Sequence, residues 1–165
     1  MLVITGNSLS ISVYICGWKK EEIMDYRFFG NQIVLRVDRG EELMSAFTTV
    51  CEKEGIRLGS IVGLGAADHL VMGLYDVSEQ KFNETRLDIP LEITSIVGNI
   101  TEMDGKPYLH VHINAADAEG HAYGGHLKEV RISGTAEIFI TVMEGHVGRE
   151  KDNITGTGLN LFKFD

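Results

Sequence analysis

The amino-acid sequence predicts an α+β fold, with a mainly antiparallel sheet and one long amphipathic helix in a compact single domain. Apolar residues recur at helical spacing in one segment near residue 50, whereas the chain from residue 59 onward reads mostly as strands. Short turns separate these strands, which favours an antiparallel or mixed sheet with the helix covering one face. A length of 165 residues suits one domain that buries a core without disulfides.

The first predicted elements are a strand at residues 32–38 and the helix. Asp38 and Glu41 have the spacing of a capping box, which predicts Asp38 as the N-cap with Glu41 reaching back to it. The helix then covers about residues 41–54, and Gly55 supplies a left-handed stop. Its apolar face comprises Leu43, Phe47, Val50 and Cys51.

The rest of the chain is predicted as strands joined by turns. The strand ranges are 59–65 leading into 68–75, then 82–87, 91–100, 108–114 and 134–143. Asp104-Gly105 and the segment 117–120 supply two of the turns. Gly63-Leu-Gly65 is similar to part of a nucleotide-binding loop, but a third glycine and a following helix are missing. We therefore interpret these two glycines as a bulge or a point of close packing.

The charge balance argues against non-specific binding to nucleic acid. The chain has 15 Lys and Arg against 24 Asp and Glu, a formal net charge of -9. Such binding relies on basic side chains that neutralise phosphates, and the sequence has neither a Lys/Arg cluster nor an Arg-Gly-Arg-Pro minor-groove hook. It also has no run of eighteen apolar residues, so it predicts no membrane span.

The first 23 residues differ in pattern from the rest of the chain, with a mixed apolar stretch followed by charged residues. Two lysines follow their apolar stretch, whereas a secretory signal carries positive charge before it. We therefore expect Met24 to be the true start, residues 1–23 to be an upstream extension, and the domain to cover 24–165. The alternative is a genuine amino-terminal strand formed by the alternation of residues 9–15.

The two cysteines, Cys16 and Cys51, lack the spacing of metal ligands. Cys51 falls on the apolar side of the predicted helix, which favours a thiol buried in the core. Since the chain has no disulfide framework, the cytoplasm is the expected compartment.

Three histidines are the most informative residues of the sequence. His110 and His112 are separated by one residue, so on a strand they point to the same side, and the apolar residues around them point to the other. His126 arrives on the next strand. Three imidazoles placed together can bind zinc and leave a fourth position for water or a ligand. Histidines at this spacing can also line any wet face of a sheet as hydrogen-bonded polar residues.

A regular hairpin does not bring His126 to the other two histidines. A four-residue turn at 117–120 would place His126 opposite Val111, on the wrong face. A bulge or an odd-length loop would set it opposite His110 or His112, and Gly124-Gly125 offers the backbone freedom for such an adjustment. The predicted zinc site therefore depends on an irregularity in this hairpin.

The remaining histidines, His69, His121 and His146, lack partners at ligand spacing, which favours surface or structural roles. His121 lies in the same hairpin as the three candidate ligands. It is therefore the one candidate for a residue that hydrogen-bonds to a metal ligand without binding the metal itself.

Several ordered blocks between residues 27 and 164 resemble the plants and prokaryotes conserved domain. They are Gly40-Glu-Glu-Leu, Ser60-Ile-Val-Gly-Leu-Gly-Ala, Pro90-Leu-Glu-Ile-Thr-Ser-Ile-Val-Gly-Asn-Ile, Gly105-Lys-Pro-Tyr-Leu-His-Val-His, Gly124-Gly-His-Leu and Thr135-Ala-Glu-Ile. The resemblance implies a compact α/β domain with a mainly antiparallel sheet, usually assembled as a homotrimer. In plants this domain accompanies a separate AT-hook that binds DNA, and prokaryotic members are often single domains labelled as DNA-binding proteins. This chain lacks the hook and is acidic.

A more distant similarity is to the acetolactate decarboxylases, which hold zinc with a His-x-His pair and one later histidine. His110, His112 and His126 match that arrangement in order and approximate spacing. The similarity implies a metal site, but a likeness of fold does not carry an activity with it.

These patterns support two main hypotheses about function. The first is a homotrimer, with zinc at or near the subunit interface, that acts as a DNA-binding or regulatory factor. The second is a small zinc-dependent enzyme acting on a carbonyl-containing molecule, with Glu137 preferred to Glu92 and Glu129 as its acid or base. A third is a structural trimer that binds metal only incidentally. An open metal position in a pocket that a carboxylate or an arginine faces would favour the enzyme.

Overall fold

The computed structural model describes residues 24–164, and strands make up most of them. The elements in chain order are β1 (Asp25–Phe29), β2 (Gln32–Asp38), α1 (Leu43–Glu54), β3 (Gly59–Asp76), β4 (Lys81–Leu87), β5 (Leu91–Met103), β6 (Lys106–Ala116), β7 (Ala122–Val142), β8 (Gly148–Lys151) and β9 (Asn160–Lys163). The α+β class is therefore confirmed. The expectations about residues 1–23, including Cys16 and the alternative strand at 9–15, lie outside the described residues.

The prediction of a long helix was wrong, because α1 has only 12 residues. Its N-cap is Glu42, whose carboxylate accepts from the backbone N–H groups of Met44 and Ser45, and not Asp38. Glu41 does reach back to the N–H of Asp38 at 2.7 Å. However, the backbone N–H of Gly40 and the carbonyl of Glu41 bond to a strand of the sheet, which delays the helix by two residues. The stop was predicted correctly, since Gly55 has a left-handed φ of 65°.

Four strands pair in a closed circuit. Strand β3 pairs with β7, β7 with β6, β6 with β5, and β5 with β3, all of them antiparallel. β2 extends the sheet from β7 and carries β1, while β4 pairs with β3. β8 adds a short parallel contact to β5 and an antiparallel one to β9. The sheet is therefore mixed, with antiparallel pairing dominant.

The predicted strands lie within the observed ones, except that the last was predicted to end one residue too late, and several observed elements had not been predicted. β1, β8 and β9 are new, and β7 begins at Ala122 rather than at residue 134. Gly63 and Gly65 lie within β3, where the pairing with β5 shifts register. A Cβ on Gly65 would lie 2.5 Å from the carbonyl oxygen of Thr135, so close packing and a bulge explain both glycines, as predicted.

Helix α1 covers one side of the sheet, which we call the inner face. Its apolar residues Leu43, Phe47, Val50 and Cys51 are fully buried and join the core formed by the strands. Burial raises the pKa of the Cys51 thiol to about 12, in keeping with the predicted core role. On β6 the inner face carries the buried Val111 and Ile113. The opposite side, the outer face, carries the alternate residues of the same strand.

No helix within residues 24–164 has the length and apolar character needed to cross a membrane.

Candidate metal centre

The outer face of the β6–β7 hairpin brings three histidines together. His110 and His112 lie on β6, and His112 pairs directly with His126 on β7. The loop between these strands runs from residue 117 to 121, so it has five residues rather than four. This odd-length loop satisfies the condition that the sequence set, and it puts all three imidazoles on one face.

Of the two irregularities considered, a bulge or an odd-length loop, the structure has the loop, and Gly124 and Gly125 pair in regular register with β6. They instead permit close approach. A Cβ on Gly125 would lie 2.7 Å from the carbonyl oxygen of Gly73 on β3, and a Cβ on Gly124 would lie 2.2 Å from the Asn114 Oδ1 atom. Their lack of side chains therefore lets β3 and β6 approach β7 next to His126.

The three imidazoles contact one another edge to face or at a tilt. Their ring centroids lie 5.1 Å apart for His110 and His112, 5.1 Å for His110 and His126, and 5.5 Å for His112 and His126. One nitrogen from each ring lies within 4.8 Å of the others. None of these rings hydrogen-bonds another side chain or the backbone within residues 24–164, so their nitrogens stay available to a ligand.

The electrostatics favour neutral imidazoles, the form that binds a metal. Partial burial, followed by the neighbouring histidines and the Arg149 guanidinium, lowers the pKa of His110 to about 4. Burial and the nearby His112 also lower the pKa of His126. Both rings are therefore uncharged at pH 7. Three imidazoles with no competing hydrogen-bond partner among the described residues fit zinc, which favours such a donor set.

A cavity of about 770 Å³ opens beside the three histidines. It is lined by the outer face of β6 and β7, by the end of β3 with Phe82, and by the carboxy-terminal segment 159–162. Aromatic and aliphatic side chains supply much of the lining: Leu74, Tyr75, Phe82, Tyr108, Leu159, Leu161 and Phe162. Apolar walls with a few converging polar groups are typical of a small-molecule site.

Arg149, on β8, is the principal cation of this cavity. Its Nε donates to the Thr101 hydroxyl at 2.9 Å, one terminal nitrogen donates to the Asn99 side chain at 2.8 Å, and the other donates to the Asn160 carbonyl at 2.8 Å. The guanidinium carbon also lies 4.6 Å from the Tyr108 ring centroid. These contacts hold the group in one orientation beside the histidines.

Sequence reasoning missed Arg149 and the wall that holds it. β8 and β9 are four residues each, too short for a periodic apolar pattern to be visible. Gly156 and Gly158, both with positive φ, mark the turn between them and were the available signal.

None of the three predicted carboxylates lines the cavity. Glu137 is exposed on β7, where it pairs with Arg36 and Leu64. Glu92 pairs with Ala116. Glu129 lies 3.5 Å from the ring of His69. Their proposed acid or base role stays a prediction.

The other histidines have polar partners of their own. His69 is only 5% exposed and contacts Asp88, and His146 lies 3.5 Å from Glu102. The exposed His121 belongs to a second metal-type group, with Asp117 and Glu119 in the β6–β7 loop. Its ring contacts Asp117 at 3.0 Å rather than one of the three candidate ligands.

Comparison with known proteins identifies a family and several similar structures. The sequence pattern of the Plants and Prokaryotes Conserved (PCC) domain matches residues 24–144. A candidate DNA-binding protein from Bacteroides thetaiotaomicron has a similar structure, with a TM-score of 0.83 and 26% identity over 87% of this chain and 99% of that one. A protein from Archaeoglobus fulgidus, described as metal-containing, has a TM-score of 0.76 and 30% identity over 87% of this chain and 99% of that one.

Two more distant matches add less. A Staphylococcus aureus protein described as similar to alpha-acetolactate decarboxylase shares the fold, with a TM-score of 0.50 and 17% identity over 70% of this chain and 53% of that one. Among curated proteins, the bifunctional protein GlmU of Synechococcus is 29% identical over 125 residues, which are 74% of this chain. The chain spans only 19% of the length of that protein.

Proposed function

The chain belongs to the Plants and Prokaryotes Conserved domain family, and from that premise we propose that it is a homotrimeric zinc protein with a small-molecule pocket. His110, His112 and His126 would hold the metal. The observation that carries the proposal is the meeting of three unpartnered imidazoles with the Arg149 guanidinium at one cavity. The metal-containing description of the Archaeoglobus fulgidus relative supports it. The predicted cytoplasmic location remains part of the proposal.

The arrangement favours an enzyme that acts on a carbonyl-containing small molecule. Zinc, when bound, polarises a carbonyl or lowers the pKa of its water. The protein would supply the imidazoles that hold it, apolar walls that limit water, and a fixed cation. Arg149 lines the same cavity as the three histidines, and an arginine beside an open metal position is one of the features expected of an enzyme.

Metal content tests this proposal directly. We expect untagged protein to carry about one zinc per subunit by mass spectrometry, and His112→Ala to lose it, since two imidazoles hold zinc far less well than three. His146→Ala, a histidine outside the cavity, is the matched control and should keep the metal. A wild-type protein without stoichiometric metal when zinc is supplied would overturn the zinc site.

The homotrimer is supported by an apolar stripe on the outer face. Phe139, Val62 and Val97 are successive register partners across β7, β3 and β5, so they share one face. Their exposed fractions are 47%, 51% and 58%, and Leu64 beside them is 52% exposed. Val97 pairs in turn with His112, so the stripe runs up to the histidines. A contiguous exposed patch of this kind is typical of an interface between subunits.

This assembly also gives Glu137 a place in the proposal. Glu137 lies two residues from Phe139 on the outer face, so in the trimer it would face a neighbouring subunit. Any acid or base role of this carboxylate would then be at a subunit boundary.

A charge placed within the stripe tests the assembly. We expect wild-type protein to sediment at three times the mass of the chain and Val62→Asp to sediment as a monomer, because an unpaired carboxylate in an apolar interface is costly. Ile154→Asp is the control, since Ile154 is 95% exposed and lies in the loop between β8 and β9. Wild-type protein that sediments as a monomer would contradict the trimer.

A DNA-binding or regulatory role is the second candidate. It is supported by the description of the Bacteroides thetaiotaomicron relative, and the formal net charge of -9 argues against it. Binding of a fluorescent 30-base-pair duplex, measured at two salt concentrations, tests the DNA-binding role. Affinity that persists at 200 mM salt would favour this role, whereas binding that disappears on raising the salt from 50 mM would count against it.

A further inference from the structure

We infer that Arg149 is the anchor for the carboxylate of a small organic acid, which the pocket would hold between the guanidinium and the three histidines. The inference rests on the proposed function and names the class of ligand that this same site takes. Arg149 lies beyond the residues that match the family pattern, which end at 144.

The charge of the cavity is opposite to that of the chain. The protein has an excess of nine acidic groups, yet no aspartate or glutamate is among the residues that line the cavity within the described part of the chain. Arg149 and three histidines lie there instead. A cation without a protein carboxylate beside it, in a largely apolar pocket, selects an anionic ligand.

The hydrogen bonds of Arg149 leave two donors for such a ligand. A guanidinium has five N–H groups, and three of them go to Thr101, Asn99 and Asn160. Each terminal nitrogen therefore keeps one N–H for which residues 24–164 provide no acceptor. Two N–H groups on neighbouring nitrogens match the two oxygens of a carboxylate.

The guanidinium is held in place before any ligand arrives. The ring centroids of Tyr108 and Phe162 lie 4.6 and 4.4 Å from its central carbon, and the Tyr108 hydroxyl accepts from the Asn160 amide at 3.3 Å. A group fixed in this way loses little conformational entropy on binding. This distinguishes it from a mobile surface arginine.

The distance to the histidines limits the size of the acid. Asn99, which accepts from Arg149, is the register partner of His110, and opposed residues of antiparallel strands lie about 5 Å apart. A molecule that reaches both the guanidinium and the histidines is therefore only a few atoms long. Short monocarboxylic acids with an oxygen next to the carboxylate fit this span.

The test compares short acids with their uncharged amides. Acetate, propionate and lactate are titrated against acetamide, propionamide and lactamide, by NMR, on the assembled protein. We expect at least one acid to bind at least about tenfold more tightly than its amide. Arg149→Gln should abolish that preference and Arg149→Lys should restore part of it, whereas Arg57→Gln, an arginine outside the cavity, should leave it unchanged. Far-UV circular dichroism and thermal unfolding identify any variant that loses its fold.

The result distinguishes this inference from the zinc proposal, because the titrations are run on zinc-loaded and on chelator-treated protein. A preference for acids that depends on Arg149 in both forms supports the anchor even if zinc binding fails. Equal binding of acids and amides, or a preference that folded Arg149→Gln retains, would overturn it. Tighter binding of inorganic phosphate than of every acid would overturn the assignment to a carboxylate.

Discussion

The β6–β7 hairpin carries a group of side chains that could bind a metal ion at each end. The two groups differ in how many hydrogen bonds their polar atoms already make. At the open end, His110, His112 and His126 project from paired strands, and their imidazole rings make no hydrogen bond within the described residues. At the loop end, Asp117 accepts from the backbone of Glu119 and His121, from the His121 ring and from the Tyr123 hydroxyl.

The contrast shows that residue type alone does not identify a site. The Asp117 carboxylate is committed to closing its own loop, and its side chain is only 7% exposed, while His121 beside it is 70% exposed to water. The three strand histidines instead line a cavity, and their ring nitrogens have no hydrogen-bond partner within the described residues. A loop whose polar groups satisfy one another stabilises the fold, whereas unsatisfied groups beside a cavity are available for a ligand.

The largest difference between the two ends is expected when one histidine is removed from each. We expect His126→Ala to lower the affinity for zinc at least about 100-fold, since even losses outside the ligand shell cost 10- to 100-fold. His121→Ala should change the affinity less than about twofold, because the His121 ring contacts Asp117 and none of the three candidate ligands. Competition with a chromophoric chelator measures both. Equal losses in the two variants would mean that the loop end also binds the metal.

A smaller effect is expected from adding one methyl group at each end. In Gly125→Ala the new Cβ meets the Gly73 carbonyl, so β3 and β7 must separate beside His126, at a cost of about 1–3 kcal/mol in stability. We expect zinc affinity to fall roughly tenfold as the ligand is displaced.

Gly120→Ala is the matched change in the loop. Gly120 has a φ of 83° and open space around it, so the cost is about 1 kcal/mol of backbone strain, with zinc affinity unchanged. Urea denaturation and the same chelator assay measure the pair. A Gly125→Ala protein with normal zinc affinity would show that the close approach of β3 does not position His126.

The smallest effect concerns the pH dependence of the loop. Burial raises the pKa of Asp117, but hydrogen bonds from His121 and Tyr123 outweigh it and hold the pKa at about 2. Because the folded pKa is below the unfolded value of about 3.9, this carboxylate stabilises the fold above pH 4, and the contribution is lost as the pH falls toward 2.

We therefore expect metal-free Asp117→Asn to be less stable than wild type at pH 5, with the gap closing between about pH 4 and pH 2. Urea midpoints across that range measure it. Glu119→Gln removes a carboxylate of the same loop without touching those hydrogen bonds and should show no such gap. A difference for Asp117→Asn that is constant with pH would mean that the charge of Asp117 does not stabilise the loop.

Local patterns in the sequence were enough to predict much of the fold and part of the site. β2 begins and ends where its alternation does, Gly55 stops the helix, and His110 and His112 lie on the face opposite to Val111. Each of these features depends on residues within about four positions of one another, the range over which side-chain alternation and capping act.

The features that join distant parts of the chain follow from the tertiary structure. The five-residue loop set the partner of His126, and pairing with β7 moved the helix N-cap from Asp38 to Glu42. The fold also carried Arg149 to Asn99, 50 residues earlier in the chain. Side-chain alternation in the sequence predicted which residues of β6 face inward and which face outward. Strand register and cavity walls depend on loop lengths and on packing between elements far apart in sequence, so they follow from the whole fold.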